Sequence, residues 1–189
     1  MRTRSKVQIE NKIGTGDIIL AQPFWNNEYY KRSVILLLEH DKTGSTGIII
    51  NKISNLIVHD ALPQFNLLNP LFFGGGNQAE TVSYIHNFPS LPNVLPLGNG
   101  LYYGGEPESL ETLLHTNVLN SVSVKFCSGF VEWAADELES ELSENKWWKG
   151  SINAEELFTM PYERLWAYKL LKSGHLYGIF DQCEDPFLN

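Results

Sequence analysis

The chain has 189 residues, 43% of them apolar and 19% charged, with a formal net charge of −8. That length suits a single domain with a sizeable core, and the composition excludes a disordered chain. Charge is unevenly spread: residues 53–124 contain no Lys or Arg and the C-terminal third is acidic, which argues against direct binding to a phosphate backbone.

No apolar run approaches the roughly 20 residues that cross a bilayer. The basic start, Met1-Arg2-Thr3-Arg4-Ser5-Lys6, leads into no apolar segment of signal-peptide length. A cytoplasmic protein with no membrane partner is the expectation. Residues 1–13 read as an N-terminal extension, with Arg2, Arg4, Lys6 and Lys12 forming either a solvated end or a basic arm. Cys127 and Cys183 lack metal-ligand spacing and read as two free thiols, Cys127 buried in a strand.

In chain order, residues 16–23 form a first strand stopped by Pro23. Val34-Ile35-Leu36-Leu37-Leu38 is a second, continuously apolar and therefore buried on both faces. A glycine turn over 44–47 leads to a third strand at 48–50, whose β-branched residues suit a pleated surface. A short helix over 58–62 precedes Pro63. Strands follow at 71–73, running into Gly74-Gly75-Gly76, and at 82–86. Residues 89–100 carry too many prolines and glycines for a regular element.

A short strand at 102–103 then precedes a helix over 107–115, with proline in its first turn and His115 at its negative pole. The next strand spans 122–126. Val131, Ala134, Ala135, Leu138 and Leu142 make one apolar stripe of a helix over 130–144, opposite a solvated acidic face of Glu132, Asp136, Glu137, Glu139, Glu141 and Glu144. A last helix spans 161–172 and stops at Gly174. Trp133, Trp147, Trp148, Phe158 and Trp166 read as a core and its rim. Together these predict an α+β fold, a single domain with a mixed, mainly antiparallel sheet and helices packed against it.

Motifs for chemistry are sparse. Gly74-Gly75-Gly76-Asn77-Gln78-Ala79 matches a dinucleotide fingerprint, but no acidic residue follows at the spacing that would hold a ribose. No phosphate-binding loop, serine-hydrolase elbow or zinc spacing occurs. His40, beside Asp41 at a strand end, either caps the hairpin or contacts a ligand. His86, ending an alternating strand, is equally open.

Several of these residues together resemble the AlgH/YqgE family of bacterial proteins. The resemblance begins with Gly16, Leu20, Ala21 and Pro23 and continues through Ser33-Val34, Glu39-His40-Asp41, Gly44, Gly47, Asn51, Gly74-Gly75 and His86. Ser128-Gly129-Phe130-Val131-Glu132-Trp133, then Leu138, Glu141, Leu142 and Trp147 or Trp148, complete it. Gly76, Glu132 and Glu137 depart from the family's usual proline, glycine and glutamine. The resemblance implies an α+β fold of the family's own type, no established enzymatic activity, and a historical label of transcriptional regulator.

Polar residues at strand ends that match the family are the candidate site, since such positions commonly carry function. Arg32, Ser33, His40, Asp41 and Asn51 are expected to gather with Gly74, Gly75 and Trp133 in one ligand-binding hollow. Arg32 would supply an ionic contact, His40 and Asn51 polar anchors, and the glycines close backbone approach. No catalytic residue, metal ligand or cofactor is assigned, and the expected partner is a protein or a small molecule. The alternative is a hydrolase with His40 or His86 as general base, which requires a His within about 3.2 Å of a Ser or Cys in a concave pocket.

Overall fold

Ten strands form one curled sheet with helices on both faces in the computed structural model, which describes residues 12–116 and 123–173. In chain order the elements are β1 (Asp17–Ala21), β2 (Val34–Asp41), β3 (Gly44–Ile49), β4 (Ile53–Ile57), α1 (Val58–Ala61), β5 (Pro70–Phe73), β6 (Asn77–His86), β7 (Val94–Gly98) and β8 (Leu101–Gly104). They continue with α2 (Pro107–His115), β9 (Val124–Ala134), α3 (Glu137–Ser143), β10 (Trp147–Ser151), α4 (Ala154–Thr159) and α5 (Tyr162–Lys172). The main path is β10-β1-β2-β3-β9-β6-β8-β7, antiparallel at every step; β5 lies parallel to β9 and carries β4 at its side. This is the expected α+β architecture with a mainly antiparallel sheet.

β2 is buried on both faces, as its unbroken apolar run requires. Ile35 and Leu37 pack with Leu138, Trp133 and Trp147 on the face covered by α3, while Val34, Leu36 and Leu38 pack with Leu165, Trp166 and Leu170 of α5. Each such buried aliphatic side chain contributes about 1.5–3 kcal/mol. The tryptophans therefore do not form one cluster, because the sheet divides them between two cores. Ile13 packs into the α3 side, so the body of the fold begins inside the expected extension; Arg2, Arg4, Lys6, Gly174 and Cys183 lie outside the described residues.

Four local readings are corrected. The β2–β3 turn is Lys42-Thr43 rather than 44–47, closed by the Asp41 carboxylate accepting the Thr43 N–H at 2.7 Å. Gly47 instead sits within β3, where a Cβ would meet Ile35 Cγ2 at 2.6 Å. The helix over 130–144 is really the end of β9 followed by the shorter α3: Val131 and Trp133 are buried while Glu132 and Ala134 are exposed. Val131 fits both periods, and only the pairing of 131–134 with β3 settles the matter. Residues 94–98 form β7 despite Pro96, since an outermost strand tolerates a missing donor. β10 and α4 had no counterpart in the sequence reading, although Asn153 and Glu156 make a reciprocal capping box at the start of α4.

The path from β5 to β6 is the tightest feature of the fold. Phe72 pairs with Cys127 on one edge of β9 and Ser83 pairs with the same Cys127 on the other, so the chain must cross the strand. Gly74 is fixed at the crossing by its N–H to Ser128 O and its carbonyl to Ile49 N, each 2.8 Å. A Cβ on Gly75 would lie 2.1 Å from the Phe130 carbonyl carbon and oxygen, and one on Gly129 would lie 2.3 Å from Gly75 O. Backbone passes over backbone with no room for a side chain.

Gly75→Ala is accordingly expected to lower unfolding free energy in urea by at least about 3 kcal/mol, because the clash is with backbone that cannot swing aside. Gly14→Ala, where a Cβ meets nothing within 4 Å, should stay within about 1 kcal/mol of the parent.

Candidate functional site

At the start of β2 three of the anticipated residues do come together. Asn51, 8% exposed, accepts the Val34 N–H through Oδ1 at 2.7 Å and donates Nδ2 to Arg32 O at 2.8 Å. The clamp spans Arg32, whose φ of 55° is in the left-handed region. The Arg32 guanidinium lies 5.8 Å from the Trp166 ring. Ser33 is fully buried and its hydroxyl has no hydrogen-bond partner among the described residues, while its N–H donates to Tyr30 O at 2.9 Å. The Asn51 amide is thus spent on backbone groups of its own chain.

His40, Asp41 and Trp133 lie at the other end. A β-bulge between Leu37 and Glu39 adds a residue to β2 and reverses the facing beyond it, which brings His40 to the α3 side opposite Ser45. His40 Nδ1 is 2.8 Å from Ser45 Oγ, and Nε2 is 3.4 Å from Glu139 Oε1. Trp133 is buried and donates Nε1 to Glu141 Oε2 at 2.9 Å; Trp147 Nε1 donates to the same oxygen at 2.8 Å. Glu141 is therefore turned inward, an exception to the solvated acidic face. Asp41 is exposed, and its bonds to the Thr43 hydroxyl and N–H hold its carboxyl below the usual range.

Seven residues of extended chain separate Ser33 from His40, roughly 20 Å at about 3.3 Å each. Six of the eight anticipated residues consequently fall into two groups at opposite ends of β2 rather than around one hollow. Gly74 and Gly75 sit between them, and what approaches their backbone is β9.

The His40 end opens onto a hollow of about 380 Å³ whose lining includes Glu39, Asp41, Thr43, Thr46, Glu132 and Trp133, with no Lys or Arg among the described residues that line it. Glu132 also accepts the Asn77 side-chain N–H at 2.9 Å. Among the described residues no three His, Cys, Asp or Glu side chains converge as a metal site would.

His86 and Cys127 are sealed. His86 is fully buried, with Nε2 2.9 Å from Gly104 O and Nδ1 accepting the Phe88 N–H at 3.1 Å. Burial holds it neutral by lowering its pKa. Burial also pushes the Cys127 thiol up to about 12. Gly74-Gly75-Gly76 leads into strand β6 instead of a helix, which removes the dinucleotide reading.

One residue escaped the sequence reading. Lys125 is only 7% exposed, yet it donates a single described hydrogen bond, 3.2 Å to Ile50 O, and its Nζ sits 3.7 Å over the Phe72 ring. Burial lowers its pKa to about 8. The signal was present: a lysine at the alternate position to buried Cys127, between Val124 and Phe126 in a strand.

Replacing Asn51 with Leu strands the Val34 N–H and the Arg32 carbonyl in a buried site, so unfolding free energy in urea should fall by about 2–4 kcal/mol. His86 generates a pH dependence of known sign. Its folded pKa lies below the unfolded value of about 6.5, so the unfolded chain binds the extra proton. The stability it contributes is complete above about pH 6.5 and is lost as pH falls below that. Urea midpoints of the parent and His86→Gln should therefore converge between pH 7.5 and 5.5, the variant losing less.

Residues 18–177 match the model of DUF179, described as AlgH-like. A UPF0301 protein of Chlorobium limicola is 32% identical over 182 residues, covering 95% of this chain and 97% of that protein. Another from Chlorobaculum tepidum is 34% identical, covering 86% and 88%. The solution structure of AlgH from Pseudomonas aeruginosa superposes with a TM-score of 0.70 at 22% identity, covering 90% and 94%. A crystal structure of DIP2367 from Corynebacterium diphtheriae gives 0.76 at 20%, covering 91% and 93%. Sequence match and superposition agree along nearly the whole chain, which belongs to the AlgH-like family.

Proposed function

We propose that this chain is a cytoplasmic, non-enzymatic binding protein that acts in regulation by receiving a cationic segment of a protein partner. The observation that carries this reading is the open hollow at the end of β2, where Glu39, Asp41 and Glu132 stand with no basic side chain among the described residues of the lining. The net charge of −8 reinforces the local field and steers a basic partner toward it. Because the carboxylates do not converge on a point, they suit several Lys or Arg groups along a segment better than a single ion. The same charge opposes a DNA backbone, so a regulatory role fits action through a partner. Among the described residues no helix is long and apolar enough to cross a membrane.

A labelled oligo-arginine peptide is the probe, followed by fluorescence anisotropy. It should bind with an affinity that falls steeply with salt. Combining Glu39→Gln, Asp41→Asn and Glu132→Gln should weaken binding at least about tenfold, whereas neutralising Glu111, Glu155 and Glu163 should leave it nearly unchanged. Equal losses in the two variants would reduce the effect to net charge and sink the assignment.

A second reading, hydrolysis with His40 as base, is favoured by one observation: the 2.8 Å approach of His40 to Ser45, with Glu139 at 3.4 Å on the other ring nitrogen. Ser45 is only 5% exposed, so a substrate would have to displace packed groups to reach it. Turnover of an ester panel that vanishes in both His40→Ala and Ser45→Ala would replace the binding reading with this one.

A further inference from the structure

Lys125 stands where a protein ordinarily places either an apolar side chain or a charge with its counter-ion. Among the described residues no carboxylate lies within ion-pair distance of its Nζ, which has one carbonyl and one aromatic face for company. An ammonium taken out of water on those terms is under-satisfied. Beside it runs a groove of about 310 Å³ between the end of the sheet and the α4–α5 corner. That volume falls at the small end of ligand sites, which span about 300–1,000 Å³.

The groove's chemistry is two-sided. Phe72, Phe158, Met160 and Tyr162 contribute apolar wall, and Phe72 and Tyr162 meet edge to face at 5.6 Å. α5 begins at the rim, with Pro161 and Tyr162 in the lining and no side-chain cap on its first turn. The positive end of that helix adds to the field of Lys125. A strongly hydrated multivalent anion would gain little from such walls. A monoanion with a hydrocarbon body satisfies both halves.

We propose that this groove binds a small carboxylate with an apolar body, its head paired with Lys125 Nζ and its body laid along Phe72, Phe158 and Met160. The site is distinct from the acidic hollow. Lys125 and Glu132 are seven residues apart along β9, roughly 20 Å, so either assignment can fail without the other.

The charged head makes binding pH-dependent with a definite sign. Groups facing Lys125 are Cys127 on the same strand and Tyr162 and Glu163 on α5, while Phe72 of β5 and Phe158 of α4 carry nothing titratable. The Cys127 thiol is pushed up to about 12 and the Tyr162 hydroxyl is raised, so neither changes charge between pH 7 and 9. Lys125, lowered to about 8 in the free protein, does. Carboxylate affinity is therefore full below that value and declines above it.

Octanoate is the probe and octanol its uncharged control, each titrated into the full chain and followed by NMR shifts. Octanoate should saturate groove residues with a Kd of about 1 mM or tighter at pH 7. Lys125→Met, which keeps an unbranched chain and loses only the ammonium end, should weaken octanoate by at least about tenfold and leave octanol unchanged. Its melting temperature should equal or exceed the parent's, since an uncompensated charge has been removed. Raising pH from 7 to 9 in the parent should weaken octanoate and not octanol, which tests the idea even if the variant does not fold. No saturable octanoate binding at pH 7, undiminished binding to Lys125→Met, or an affinity flat across pH 8 would each overturn the proposal.

Discussion

The crossing of Gly74-Gly75 over β9 is the constraint on which the rest of the sheet depends. β9 is the common partner of β3, β5 and β6, and the chain reaches both of its edges within a few residues. A longer loop could arch around the strand at modest entropic cost. This chain goes straight across instead, with Gly74 hydrogen-bonded to β3 on one side and β9 on the other. That contact fixes where β3 ends, where β6 begins, and hence which residues face the two cores. The glycines matched to the family are thus explained by backbone meeting backbone.

With the sheet so fixed, its polar residues divide into those whose hydrogen bonds hold it and those with bonding capacity left over. Asn51 ties β2 to the chain entering it, His86 ties β6 to β8, and Glu141 gathers two indole N–H groups under α3. Asn51 and His86 are buried and Glu141 is part-buried, and the hydrogen bonds of each are met internally, as burial demands. Carboxylates at the β2–β3 end and the ammonium in the α4–α5 groove have no such full complement. They carry opposite charge at opposite ends of β9, so the molecule presents two chemically different surfaces on one rigid scaffold.

Legibility varied with how local the determining interaction was. The helix over 107–115 was read to the residue, because proline at its start and leucines at i, i+3 and i+4 act within the segment. The stripe through Val131 and Leu138 misled, because a strand's alternation and a helix's turn agree at some of its positions and the paired residues of β3 lie 84–90 positions away in sequence. Candidate site residues were recognised at strand ends, yet adjacency in a hairpin motif concealed that β2 holds its two ends far apart. The bulge at Leu38, which alone brings His40 to Ser45, has no glycine or proline to announce it.

The sequence by itself determined the mixture of strands and helices, the doubly buried second strand and the family, since periodicity, apolar runs and motif spacing are properties of the chain before it folds. Only the tertiary structure decided which polar groups are consumed in holding the fold and which stand ready for something else. That distinction depends on whether a partner for each N–H, carboxylate or ammonium lies nearby in space, and for Asn51, His86, Glu141 and Lys125 those partners come from other elements of the fold.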